Sequence, residues 1–162
     1  MGECRSRPHR AVARMAHPPN VIHAAWLGEH RVDTGRRDGP VTQLDGSARS
    51  GQSPPDAILS SLAACSGIDV VDILAKRRTP VERLTIDVEG DRRETAPRRF
   101  VAVRITYHVD GAGIEAVHAE RAVALAFEKY CSVSSSLAPD IAVETMVVLN
   151  GVAGAPISQS LS

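Results

Sequence analysis

Two of the three cysteines, Cys65 and Cys131, are the residues whose setting best suits chemistry. A thiolate attacks oxidants, and two thiols that meet in a fold can close a disulfide. An odd, low cysteine count without a secretory signal argues against a structural disulfide framework. No Cys-x-x-Cys or His-x-x-x-His spacing occurs, so we expect no structural zinc, no other metal and no cofactor. The pattern favours thiol chemistry on an oxidant.

Cys65 lies in the middle of an apolar segment, Ala63-Ala64-Cys65-Ser66-Gly67. The simplest interpretation of a cysteine in an apolar helix is a small core residue. Its small neighbours, however, leave room for another molecule. Gly67 costs a helix about 1 kcal/mol relative to alanine, so we expect it to permit a close approach. These two features favour Cys65 as a nucleophile.

Cys131 follows Lys129-Tyr130 at the predicted end of a helix. The negative end of the helix dipole raises the pKa of a thiol placed there, which makes it a poor first nucleophile. It can still resolve a sulfenic acid on another cysteine. Cys65 then needs a cation that the fold brings to it, which we expect to be an arginine.

A long helix must carry Cys65. Ser53-Pro54-Pro55-Asp56 is typical of a helix start, with serine as N-cap, proline at the first position and an acid at the third. Lys76, Arg77 and Arg78 favour a helix C-terminus, and Pro80 ends the segment. Apolar residues occur nearly all round the helix between Ala57 and Ser66, which predicts burial. Asp69, one turn beyond Cys65, is expected to be a structural hydrogen-bond acceptor.

The other elements predict an α+β fold. Alternating or turn-bounded apolar residues predict strands, and a period of three to four predicts a second helix. The order is a β-meander, a long buried central helix, a β-hairpin, a second helix and a final strand. The predicted ranges are 21–33 and 41–44 for the meander, 81–90 and 100–109 for the hairpin, 114–130 for the helix and 141–149 for the strand.

The chain therefore divides into a disordered basic tail at 1–20, one domain at 21–150 and a C-terminal tail at 151–162. Met15 is an alternative start, and a transit peptide is an alternative interpretation of the basic tail. Lysine plus arginine equals aspartate plus glutamate at 19 each, which argues against nucleic acid as a partner. The absence of a long uninterrupted apolar run argues against a membrane-spanning segment. We expect a cytoplasmic protein.

Two stretches resemble the OsmC-like family. They are Ser53-Pro54-Pro55-Asp56-Ala57-Ile58-Leu59 followed by Ala63-Ala64-Cys65 and Ile68-Asp69-Val70-Val71, and the later Glu128-Lys129-Tyr130-Cys131-Ser132-Val133. The resemblance covers about residues 21–150 and is closest to the YhfA-like branch. It implies an OsmC-like fold and an intertwined homodimer, with the two long helices back to back and each site at the subunit interface.

The resemblance to the detoxifying branches of this family implies a role for each cysteine. Cys65 resembles the thiol that attacks an organic hydroperoxide, and Cys131 resembles the one that closes a disulfide. A small dithiol then reduces that disulfide. Asp56 and Arg31 are possible supporting residues, Arg31 by its rough position alone. We favour a helix-capping role for Asp56.

The sequence departs from the detoxifying branches at two positions. Pro55 stands where those branches place a glutamate that holds an activating arginine, with the acid displaced to Asp56, and Ser132 stands where they usually place proline. Two hypotheses stay open. The first is a thiol-dependent peroxidase of the oxidative stress response that acts on organic hydroperoxides. The second is a non-catalytic dimeric module that binds a small apolar or electrophilic ligand. Thiol-dependent ester hydrolysis is a third.

Overall fold

A three-stranded antiparallel meander opens the part of the chain, residues 18–161, that this computed structural model describes. Its strands pair in chain order: β1 (His23–Gly28), β2 (Arg31–Gly35) and β3 (Val41–Asp45). The predicted meander is therefore confirmed. The predictions made for residues 1–17, including the start at Met15, lie outside the described residues.

The long helix α1 (Pro54–Lys76) follows the meander and ends at the cap Arg77. Its fully buried positions lie toward the second helix and the second sheet. They are Leu62, Ser66, Gly67, Val70 and Leu74. The expectation that α1 is buried all round is wrong for the single chain, since Ile58 and Ile68 are 43% and 64% exposed. Within residues 18–161, α2 and the second sheet cover one side of this helix and leave Ile58 and Ile68 exposed.

A second sheet is built on the predicted hairpin. Strands β4 (Arg83–Arg92) and β5 (Phe100–Asp110) pair antiparallel, and β6 (Ala142–Leu149) pairs parallel with β5. The crossover from β5 to β6 runs through the helix α2 (Ala116–Leu125). Parallel neighbours require such a crossover, which places α2 against the sheet beside α1.

The segment after β6 differs from the frayed tail that we expected. Residues Val152–Ala153 form β7 and Ile157–Gln159 form β8, and both pair antiparallel with β6. The Gln159 side-chain amide also donates to the Thr145 hydroxyl at 2.9 Å. The segment covers the outer edge of β6, whose unpaired backbone groups would otherwise be exposed. Backbone pairing of this kind needs little apolar character, which is why composition did not predict it.

The core lies between the two helices and one face of the second sheet. On β5 the inward positions Val103, Ile105, Tyr107 and Val109 are at most 1% exposed. The outward face of the same sheet is polar, with Arg104 paired to Asp91 and Glu89 across the strands. By length and composition α1 is also apolar enough to cross a membrane, with 28% of its most apolar window buried in the chain.

Candidate functional site

The start of α1 fixes the register that places Cys65. The Asp56 backbone N–H donates to the Ser53 hydroxyl oxygen at 3.3 Å, and the Ser53 backbone N–H donates to the Asp56 carboxylate at 3.2 Å. This is a capping box, which satisfies two donors that the helix start leaves free. The Ser53 hydroxyl also donates a hydrogen bond to the Asp56 carboxylate at 2.6 Å. Asp56 is therefore placed as a helix cap, as favoured above.

Gly67 lets α1 approach the sheet beside Cys65. A Cβ atom at Gly67 would lie 2.6 Å from Cδ1 of Ile86 and 3.4 Å from Cδ2 of Leu84. The close approach that the glycine predicted is present, and the strand β4 of the same chain makes it. Cys65 is half-buried and packs against the edge of the core. The close contact between α1 and β4 thus fixes how far the Cys65 sulfur lies from the sheet.

Cys131 is positioned by an irregular helix end that the sequence did not reveal. After α2, residues Ala126–Tyr130 form a π-helical turn, and the Cys131 backbone N–H donates to the carbonyl of Ala126 at 2.8 Å. A π-turn inserts one extra residue per turn and so redirects the side chains that follow it; such turns are frequent at functional sites. The hydroxyls of Ser134 and Ser135 then donate to the Cys131 carbonyl.

Burial raises the pKa of the Cys131 thiol above its ordinary value. The side chain is 2% exposed, and a thiolate there would lose most of its hydration. The backbone N–H of Ser134, 3.4 Å from the sulfur, acts in the opposite direction, and the neighbouring Cys65 thiol raises the pKa further. The direction predicted from the helix dipole is therefore right, but desolvation is the principal cause.

The fold brings both sulfurs to one carboxyl group. The Sγ atoms of Cys65 and Cys131 and a carboxylate oxygen of Asp69 all lie within 4.8 Å of one another. Cys65 and Asp69 share a face of α1 because they are four residues apart, while Cys131 comes from the end of α2 and its π-turn. Thiols this close can form a disulfide after small side-chain rotations. We name these three side chains the thiol–carboxyl cluster.

Asp69 differs from the structural acceptor that we expected. Its Oδ2 atom is buried and has no hydrogen-bond partner among the described residues. Burial raises the pKa of this carboxyl group above its ordinary value, the charge of Asp72 raises it further, and Lys76 lowers it. The sequence signal was the i, i+4 spacing from Cys65 in an otherwise apolar helix, to which we had assigned a structural role.

A buried tyrosine lies close to the cluster. Tyr107 is fully buried, with its hydroxyl 2.7 Å from the Ser66 hydroxyl, which in turn donates to the Leu62 carbonyl at 2.8 Å. Burial raises the pKa of Tyr107, and charges on Cys131 and Asp69 add to that effect. The sequence pattern did not predict this pair, although a tyrosine on an inward strand face needs a buried partner.

Comparison with known proteins decides the family. The model of the family described as OsmC-like protein matches residues 45–146. The chain belongs to the OsmC-like family. The resemblance drawn from the two cysteine segments is therefore confirmed, and so is the mixed helix-and-strand fold that it implied.

Individual OsmC-like relatives extend this result. The chain is 39% identical to Protein YhfA of Escherichia coli strain K12 over 95 residues, which cover 58% of this chain and 71% of YhfA. A crystal structure of a hypothetical protein from Aquifex aeolicus VF5 superposes with a TM-score of 0.74 at 27% identity, over 83% of this chain and 98% of that one. The organic hydroperoxide resistance protein OsmC from Legionella pneumophila shares the fold, with a TM-score of 0.57 at 19% identity over 83% and 98% of the chains.

Arg31 does not join the cluster of this OsmC-like chain. It lies on β2, and its ion-pair partner is Glu29 at 4.0 Å. Within residues 18–161 no hydrogen bond or ion pair links Arg31 to either cysteine. Its buried Nε atom has no acceptor in the described chain. The activating arginine expected from the family resemblance is thus not supplied by Arg31 within one copy.

Two apolar grooves flank the exposed side of α1 in the OsmC-like fold. One, of about 520 Å³, lies between α1 and β4 and is lined by Ala63, Ala64, Gly67, Ile68, Leu84 and Ile86 among others. The second, of about 500 Å³, lies between α1 and the first sheet and includes Thr34, Leu44, Ala57 and Ser61. Neither groove is lined by Cys65 or Cys131.

The thiol–carboxyl cluster offers three donor atoms from two elements. Three is one short of the closed four-ligand set of a structural zinc site, and the cluster contains no histidine. Two nearby thiols and a carboxyl group whose pKa is raised by burial are instead the components of reversible thiol–disulfide chemistry. We therefore assign the cluster to thiol chemistry.

Proposed function

We propose that this OsmC-like protein is a thiol-dependent peroxidase that reduces organic hydroperoxides. The observation that carries the proposal is the separation of the Cys65 and Cys131 sulfurs, which lie within 4.8 Å of each other in one chain. Fold relatives such as the Legionella pneumophila organic hydroperoxide resistance protein are consistent with it. Cys65 is the attacking thiol because it is half-buried and reachable, while Cys131 is buried.

The peroxidase cycle assigns different work to the two sulfurs. Cys65 attacks the peroxide oxygen and becomes a sulfenic acid, and Cys131 then displaces water from it to close an intrachain disulfide. The raised pKa of Cys131 suits a thiol that waits for this second step. A small dithiol reductant returns both sulfurs to thiols by exchange. The cycle needs no cofactor, and we propose that it runs in the cytoplasm, which cell fractionation would test.

Cysteine variants test the peroxidase directly, in a Cys4→Ser background that leaves two thiols. Cumene hydroperoxide and a dithiol supply the substrates. Cys65→Ser should abolish turnover, and Cys131→Ser should permit one oxidation event without a cycle. The parent should show an intrachain disulfide in the mass of the non-reduced protein. Full turnover by Cys65→Ser would refute the proposal.

We also propose that the working unit is a homodimer. The exposed side of α1 presents Ile58 and Ile68, 43% and 64% exposed, on a helix with one covered face. Leaving such a surface in water is unfavourable by about 25 cal/mol per Å² of apolar area. A second α1 laid against it would bury that surface and bring side chains of the second copy toward Cys65.

The alternative function is a non-catalytic dimeric module that binds a small apolar ligand. The groove of about 520 Å³ between α1 and β4 favours it, because that groove is apolar and is not lined by either cysteine. The departures at Pro55 and Ser132 from the detoxifying pattern favour it too. Thiols that stay reduced under mild peroxide, together with saturable binding of an apolar fluorescent probe, would favour the module over the enzyme.

A further inference from the structure

Asp69 lies where a proton could pass to or from either sulfur. Its carboxylate is within 4.8 Å of both Sγ atoms, and its Oδ2 atom is buried without a hydrogen-bond partner in the described chain. An unpartnered buried acceptor is unfavourable by about 1–3 kcal/mol. A neutral, protonated carboxyl group reduces that cost and can donate to a sulfur or to an oxygen bound beside it.

Among the described residues, the other groups around Asp69 are less well placed to transfer this proton. On its own helix the neighbours are Asp72, whose charge raises the Asp69 pKa, and Lys76, whose charge lowers it. From β5 comes Tyr107, whose hydroxyl is hydrogen-bonded to the Ser66 hydroxyl. From the end of α2 comes Cys131. Among the described residues, Asp69 is the carboxyl group that reaches both thiols.

We propose that Asp69 is the acid–base group shared by Cys65 and Cys131. This inference rests on the proposed peroxidase and adds a residue to its chemistry. A carboxyl group at this position serves both half-reactions, since it donates a proton in the first and accepts one in the second.

The first step forms a sulfur–oxygen bond. The Cys65 thiolate attacks the terminal oxygen of the hydroperoxide, the O–O bond breaks, and the alkoxide leaves with the electron pair. The sulfur is oxidised to a sulfenic acid and the peroxide is reduced. The protonated Asp69 carboxyl group donates its proton to the alkoxide, which leaves as an alcohol, and Asp69 becomes a carboxylate.

The second step forms the disulfide. The Asp69 carboxylate takes the proton from the buried Cys131 thiol, whose raised pKa would otherwise keep it inactive. The Cys131 sulfur attacks the Cys65 sulfur, the S–O bond breaks, and the departing hydroxide takes the proton back from Asp69 to leave as water. The proton that Cys65 released on ionising restores the carboxyl group. In total, two thiols and one hydroperoxide give a disulfide, an alcohol and water.

Asp69→Asn tests this role because it keeps the shape of the side chain and cannot transfer a proton. In chelator-treated protein, disulfide closure should slow by about 10²-fold, so that a trap such as dimedone captures the Cys65 sulfenic acid. Asp69→Glu should partly restore closure. The alkylation of Cys65 by iodoacetamide should also show, in the parent, a step at the pH where Asp69 ionises, because above that pH its carboxylate opposes the Cys65 thiolate. This Asp69-dependent step should be absent from Asp69→Asn.

Asp72→Asn is the matched control on the same helix. Since the Asp72 charge raises the pKa of Asp69, this variant should keep the Asp69-dependent step in the alkylation profile and move it to lower pH. Alkylation and closure profiles that are unchanged in Asp69→Asn would overturn the inference. So would a chelator-resistant metal that Asp69→Asn releases. If the parent thiols resist peroxide, the peroxidase fails, while the alkylation profiles still report whether Asp69 acts on the thiols.

Discussion

Asp45 organises the loop that leads into α1. Its carboxylate accepts the backbone N–H groups of Ser47 at 2.8 Å, Arg49 at 3.2 Å and Ser50 at 3.0 Å, together with the Ser50 hydroxyl. These donors favour the charged form and lower the Asp45 pKa from 3.8 to about 2. The residue is 4% exposed, and its carboxylate joins Ser47, Arg49 and Ser50 of the loop.

Asp45→Asn should make the protein less stable at neutral pH, because an amide cannot accept all of these bonds. A carboxyl group whose pKa is lower in the folded state stabilises the fold at pH values above its ordinary pKa. This stabilisation is lost as the pH falls through the lowered pKa. The difference between the parent and Asp45→Asn should therefore shrink as pH falls from about 4 to about 2. Urea unfolding at several pH values measures it.

Glu94→Gln is the control for that experiment, since it removes an exposed loop carboxylate. It should unfold like the parent across the same pH range. A gap between the parent and Asp45→Asn that stays constant from neutral pH to pH 2 would contradict the assignment.

The chemistry of individual residues was partly predictable from sequence. Cys65 and Cys131 stood out by type and by neighbouring residues, and the local pattern Ser53-x-x-Asp56 predicted the capping box. The sequence did not predict that the buried Oδ2 atom of Asp69 has no hydrogen-bond partner among the described residues. That property depends on which side chains the fold places around Asp69. The Tyr107–Ser66 hydrogen bond joins two elements far apart in sequence, so no local pattern contains it.

At the scale of elements, patterns of apolar residues predicted which helices and strands form but not how the second helix ends. The alternation in β4 and β5 and the apolar run of α1 were sufficient to predict those elements. The π-turn at Ala126–Tyr130 was not predictable, because no residue type in the sequence marks its i to i+5 bonding. Its consequence is functional, since that turn sets where Cys131 points.

The contact between α1 and β4 gives a prediction about packing. Gly67→Ala should gain about 1 kcal/mol from helix propensity but place a methyl group 2.6 Å from Cδ1 of Ile86. We expect the clash to cancel or exceed the gain. Ile86→Val removes that Cδ1 atom, so Gly67→Ala should become stabilising in that background, with a coupling of about 1 kcal/mol.

Urea unfolding of the parent, Gly67→Ala, Ile86→Val and the double variant, all at the same protein concentration, measures this coupling. Val88→Ala is the matched control on the same face of β4, since no atom of Val88 is among those nearest to a Cβ at Gly67. Its effect should add to that of Gly67→Ala without coupling. Additivity in the Ile86 pair would show that α1 and β4 separate enough to admit the methyl group.

At the scale of the whole molecule, the surface of α1 explains why the sequence predicted more burial than one chain shows. Apolar residues occur all round the helix, and burial all round requires covering layers on both sides. One chain supplies α2 and the second sheet on one side. In the homodimer proposed above, a second copy of α1 covers the other side, and burial all round is then expected of the pair of chains.

Ile68→Lys should therefore dissociate the proposed homodimer. A lysine at this 64% exposed position would place a charge in the centre of the contact, and a buried unpaired charge is strongly unfavourable. Sedimentation of the parent should give twice the chain mass of 17.3 kDa, and that of the variant should approach one chain mass. Val152→Lys is the matched control, because Val152 is 73% exposed on β7, and it should stay dimeric. A monomeric parent would refute the proposed homodimer, and equal dissociation of both variants would show that α1 is not the contact.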